Sequence, residues 1–68
     1  MTDFLERLIE EEKELDKKVS SLCSVLESDG FKEKVGEYQH NLLSLQCNTM
    51  LTYRRILIMR IDDLQSKS

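Results

Sequence analysis

Ser28-Asp29-Gly30-Phe31-Lys32-Glu33-Lys34-Val35-Gly36 is the stretch that decides the fold. It holds both glycines of a chain that has no proline. Glycine ends helices because it accepts positive φ cheaply. On either side nothing breaks a helix, so the sequence predicts helix 1 over about residues 3–27 and helix 2 over about residues 37–65, with 28–36 as linker. Phe31–Val35 reads as a short helical turn inside the linker, capped by Ser28 or Asp29. No alternating run and no Asn-Gly turn suggests a strand. So short a linker makes the two helices antiparallel neighbours. The expected fold class is all-α: a single helical-hairpin domain over residues 1–68, assembling into an oligomeric helical bundle.

Length explains why assembly is expected. A chain of 68 residues makes one domain at most. It buries only about 60% of the surface its unfolded form exposes. Small scaffolds compensate with disulfides, a metal or oligomerisation. Cys23 and Cys47 form no C-x-x-C pair, and His40 is the only histidine, so a four-ligand zinc site is excluded. Met1-Thr2-Asp3 leads directly into a charged segment, which does not read as a secretory signal. No apolar run approaches the ~18 residues of a membrane span. One disulfide between Cys23 and Cys47 is arithmetically possible, but the default expectation is a cytoplasmic protein with both thiols free, no membrane association, and itself as first partner.

Helix 1 carries a heptad. Leu8, Leu15 and Leu22 take one seam position; Leu5, Val19 and Leu26 take the other, with Glu12 where a further apolar residue belongs. Its opposite face is polar: Glu10, Lys13, Glu14 and Lys17. In helix 2 one seam runs Leu43, Gln46, Met50, Tyr53, Leu57, Arg60, Leu64, beside a stripe of Leu42, Leu45, Thr49, Thr52, Ile56 and Met59. A third line adds Cys47, Leu51, Ile58 and Ile61. Eight of the twelve residues from Met50 to Ile61 are apolar, and a helix apolar on most sides must be covered on most sides. Leu8, Leu15, Leu22, Leu43, Met50, Leu57 and Ile61 are the expected oligomer core. With Leu26 opposite Leu42, facing residue numbers sum to roughly 68, which brings Glu11 and Glu12 near Arg60 as its expected carboxylate partners.

Catalysis requires a nucleophile, a base and an orienting group in one cleft. His40 stands alone beside the linker, Cys23 and Cys47 read as small apolar residues, and Glu10 to Glu14 read as a solvated acidic face rather than a cation loop. No catalytic residue, metal ligand or cofactor is expected. Net charge is −3, which argues against a nucleic-acid partner. Gln46, Tyr53 and Arg60, spaced by seven, are the informative polar residues. Two readings stand. Such residues can hydrogen-bond across a subunit interface and fix its register. Alternatively they line a pocket in which Tyr53 stacks on an aromatic group while Arg54, Arg55 or Arg60 holds phosphate.

A longer pattern runs Phe4-x-x-Arg7-Leu8-x-x-Glu11-x-x-x-Leu15-x-x-Lys18-x-x-x-Leu22, then Phe31, then Leu43-x-x-Gln46-x-x-x-Met50-x-x-Tyr53-x-x-x-Leu57-x-x-Arg60-Ile61. It resembles a group of short, uncharacterised, coil-containing bacteriophage proteins of about this length. The chain departs from that pattern at Val25, where an aromatic residue is expected. The resemblance implies a phage or prophage source and an accessory role in the host cytoplasm. It also adds Arg7 and Lys18 to the binding candidates Gln46, Tyr53, Arg54, Arg55 and Arg60. Proteins of this kind act by stoichiometric binding, either blocking a host defence protein or sequestering a nucleotide immune signal. The leading expectation is thus a non-enzymatic binding protein whose partner is a host protein or a phosphorylated small molecule. The alternative is a structural or regulatory coiled-coil adaptor with no small-molecule ligand. A transcription factor ranks below both, because the chain lacks a recognition helix and a basic face.

Overall fold

Positive φ at two glycines divides the chain. The computed structural model describes residues 2–67. Gly30 has φ 81°, and Gly36 has φ 92° with ψ 156°, a region essentially closed to residues with a Cβ. A Cβ at either position would meet no atom within 4 Å, so backbone torsion and not crowding requires glycine. Between them lies α2 (Phe31–Val35), preceded by α1 (Thr2–Glu27) and followed by α3 (Glu37–Ser66). The described residues contain no strand.

The linker is capped differently from the expectation. The N-cap of α2 is Gly30, with no side-chain hydrogen bond. Ser28 instead donates from its backbone N–H and its hydroxyl to the Val25 carbonyl, closing the end of α1. A glycine cap has no side chain to offer, and the Ser28 hydroxyl reaches only back along its own helix. The Gly36 N–H donates to the Lys32 carbonyl at 2.8 Å, and the His40 N–H to the Gly36 carbonyl at 3.0 Å, so the turn satisfies its own backbone.

α1 and α3 pack side by side, and α2 folds against the start of α3, where the Phe31 and His40 rings lie 6.4 Å apart. Leu8, Leu15, Val19 and Leu57 form the buried cluster, with Cys23, Met50, Ile61 and Leu64 packed on it. Leu57 is fully buried. The α1 seam of Leu5, Leu8, Glu12, Leu15, Val19, Leu22 and Leu26 is buried or half-buried throughout.

The α3 seam differs from the expectation at every second position. Buried or half-buried are Leu43, Cys47, Met50, Arg54, Leu57, Ile61 and Leu64, while Gln46, Tyr53 and Arg60 are exposed. Both lines alternate steps of three and four and share Leu43, Met50, Leu57 and Leu64, so periodicity alone does not separate them. What stands opposite on α1 does. Glu12 occupies a seam position and needs a cation facing it. Arg54 supplies one: its Nε lies 2.9 Å from Glu12 Oε2 and 3.3 Å from Asp16 Oδ1. Arg60 is therefore not the carboxylate's partner. Cys47 faces Cys23, and the two are joined in a disulfide with Cα atoms 6.5 Å apart, so the expectation of free thiols is corrected as well. The bond ties the helices where the seam lacks buried leucines.

The molecule is a rod of 50 × 14 × 13 Å. Its radius of gyration is 15.4 Å, against about 11 Å for a compact chain of this length. One helix pair cannot wrap around its own core, so the outer side of α3 stays uncovered. No helix of the described residues is long and apolar enough to cross a membrane.

Candidate functional site

Moving Gln46, Tyr53 and Arg60 out of the core places them on one shoulder of the rod. Steps of seven keep them in a line along α3, one notch to the side of the inner seam. The facing line on α1 is Phe4, Arg7, Glu11, Glu14, Lys18 and Ser21, again in steps of three and four. Two contacts join the lines. The Arg60 guanidinium stands 6.0 Å from the centroid of the Phe4 ring, a cation–π distance. Farther toward the linker, Lys17, Lys18, Ser21 and Leu22 of α1 and Gln46 and Met50 of α3 line an open groove of about 400 Å³.

That groove has an apolar floor in Leu22 and Met50, two ammonium groups on its α1 wall, and an amide on its α3 wall, where Gln46 Nε2 lies 4.0 Å from Met50 Sδ. No carboxylate lines it. Lysine ammonium groups are strongly hydrated point charges that can exchange water for an anion, and an amide offers both a donor and an acceptor. The volume lies within the range of small-molecule sites. By contrast, the groove on the other shoulder is lined by Ile9, Glu12, Ile58, Ile61, Asp62 and Gln65, two of them acids that oppose an anion.

The structure divides the sequence candidates. Gln46 and Lys18 meet in one groove. Tyr53 lies one heptad along the same line and is 43% exposed. Arg60 holds the far end of that line against Phe4, and Arg7 is exposed on the facing line. Arg54 is engaged by Glu12 and Asp16 inside the hairpin, and Arg55 is exposed away from the groove. Lys17 and Ser21 were not among the sequence candidates. The signal for them was the antiparallel sum of roughly 68, which sets residues 17–22 beside Gln46 and Met50. Of the expected core, Leu8, Leu15 and Leu57 are buried within the single hairpin, Met50 and Ile61 pack on them, and Leu22 and Leu43 are half-buried.

Among the described residues no group of three or more His, Cys, Asp or Glu is placed to hold a metal ion. On the outer side of α3, Leu42, Leu45, Ile56 and Met59 are between 41% and 63% exposed. Together they leave an exposed apolar stripe along α3.

No curated protein and no solved structure matches this chain. A protein-family model does, over residues 2–63, which takes in α1, the linker and all but the last turn of α3 with both lines of the shoulder. The chain belongs to the Sequestin family.

Proposed function

We propose that this chain is a non-enzymatic binding protein that assembles with copies of itself and neutralises a host factor by holding it stoichiometrically. The factor this reading favours is a nucleotide immune signal; a host defence protein is the other target it admits. The single observation that carries the reading is the groove, where Lys17, Lys18 and Gln46 surround an apolar floor with no carboxylate among them. A nucleotide has a flat apolar base, hydrogen-bonding edges and a phosphate, and each finds its complement there. The family name, Sequestin, speaks of sequestering. Action inside an infected bacterium, with a phage or prophage as source, is part of the proposal and rests on the motif resemblance.

The test is equilibrium binding by calorimetry, with cyclic and linear nucleotides as probes, followed by chromatography of the released ligand. The expected result is saturable binding, with the nucleotide recovered unchanged. Lys18→Ala and Gln46→Ala should each weaken it by about tenfold or more, because a charge-assisted or amide hydrogen bond is lost. Arg55→Ala should leave it intact. Recovery of a hydrolysed product would overturn the non-enzymatic reading. No binding by any nucleotide, with a host protein co-purifying instead, would move the target to the defence protein or to adaptor work.

A further inference from the structure

We infer that the outer stripe of α3 is a two-fold symmetric dimer interface, in which α3 of a second copy lies antiparallel with Thr49 opposite Thr52. The inference rests on the self-association in the reading above and adds the face, the direction and the register.

The stripe is Leu42, Leu45, Thr49, Thr52, Ile56 and Met59, a second run of alternating three- and four-residue steps on the same helix as the inner seam. At 100° per residue it lies about 130° round α3 from Leu43, Met50 and Leu57. Its large members are exposed: Leu42 41%, Leu45 63%, Ile56 49% and Met59 63%. The two threonines at its centre do not present free hydroxyl donors. Thr49 Oγ1 donates to the Leu45 carbonyl at 2.9 Å and Thr52 Oγ1 to the Asn48 carbonyl at 3.2 Å, so both hydroxyl donors are spent on their own helix.

A second copy fits this surface because the stripe reads the same from both ends. Its steps are three, four, three, four, three, and its residues run two large apolar, two threonines, two large apolar. Turned about a two-fold axis between Thr49 and Thr52, it sets Leu42 against Met59, Leu45 against Ile56 and Thr49 against Thr52. Such self-matching is what an isologous interface requires. Small residues fall where the axes come closest, and large ones fill the space on either side. The flanks agree. The same operation sets Asp62 beside Asn41, Arg55 beside Asn48 and Arg60 beside Gln39, so each flanking charge meets a neutral amide and no like charges meet. It also brings Tyr53 of the second copy beside Gln46, at the rim of the basic groove, so the partner completes the aromatic side of that site. α3, apolar on two sides, takes the middle of the four-helix assembly, and α1, apolar on one, takes the edge.

The experiment uses charge pairs across the predicted contact. Leu45→Glu and Ile56→Lys are made in separate full-length chains, followed by sedimentation equilibrium of each alone and of their mixture. Both positions are exposed in the single hairpin, and circular dichroism confirms that each variant remains helical. Each alone should dissociate about thirtyfold or more readily than the wild type, because a charge is placed in an apolar contact. Mixed, they should form a one-to-one dimer. The carboxylate introduced at position 45 of one copy then faces the ammonium introduced at position 56 of the other, while the native Ile56 and Leu45 meet at the remaining contact. Leu45→Glu mixed with Leu42→Lys should recover nothing. Variants that dimerise like the wild type would overturn the face, and variants that dissociate without recovery on mixing would overturn the register. A wild-type chain that stays monomeric at all concentrations would overturn self-association itself, a result distinct from both.

Discussion

Glu12 is the residue that sets how the hairpin closes. A carboxylate in an otherwise apolar seam is costly unless a cation faces it, and the α3 phase that turns Arg54 toward it also brings Cys47 and Ile61 inward in place of Gln46 and Arg60. The side chains keep some solvent contact, Arg54 at 34% and Glu12 at 19%, so screening limits what the pair contributes. A double-mutant cycle of Glu12→Gln and Arg54→Met should give a coupling of about 0.5–1 kcal/mol in urea unfolding. The same cycle with Arg60→Met should give none, because Arg60 is exposed and rests on Phe4. Coupling to Arg60 in place of Arg54 would restore the register expected from sequence. Cys23 and Cys47 act at the other end of the seam. Their bond closes a loop across a sequence separation of 24, and confining such a loop in the unfolded chain contributes about 3.5 kcal/mol. Dithiothreitol should therefore lower the melting temperature of the wild type and leave that of Cys23→Ser unchanged. Equal melting with and without reductant would remove the bond from the account of stability.

At the scale of elements, the linker and α3 carry what is specific to this chain. Gly36 adopts φ 92° and ψ 156°, and Gly30 a left-handed helical turn at φ 81°. Gly36→Ala should cost about 1–3 kcal/mol. Gly30→Ala should cost about 1–2 kcal/mol, since an alanine tolerates the left-handed helical region better. Equal, negligible losses in urea melts would show that the linker tolerates another path. α1 has one apolar side, and its seam was legible from leucine spacing alone. α3 has two, and its inner seam was not legible, because two phases share Leu43, Met50, Leu57 and Leu64 and differ only at the positions between.

The whole molecule is long and thin, so a large part of the apolar surface of α3 remains exposed in a single copy. In the proposed assembly, covering this surface favours the folded chain over the unfolded one and ties stability to concentration. Melting followed by circular dichroism should shift upward by several degrees between about 1 μM and about 100 μM protein. A midpoint independent of concentration would mean that the single hairpin is the stable unit. Leu57→Ala tests the hairpin itself. Leu57 is the fully buried side chain at the centre of the cluster, and its truncation should cost about 2–5 kcal/mol, enough to unfold so small a domain at body temperature.

The sequence by itself determined that the chain is helical, where it turns, which side of α1 faces inward, and that α3 carries more apolar surface than one neighbour can cover. These follow from local rules: glycine torsion, helical periodicity and the spacing of leucines. It also marked Gln46, Tyr53 and Arg60 as a line worth attention, but placed that line in the core. Only the tertiary structure decided that the line is an exposed shoulder, that Lys17 and Lys18 stand beside Gln46, and that Arg54 and not Arg60 answers Glu12. The physical reason is that a helix apolar on two sides has no preferred rotation of its own. Its phase is set by the groups on the helix it meets, here a carboxylate needing a cation and a cysteine needing its partner.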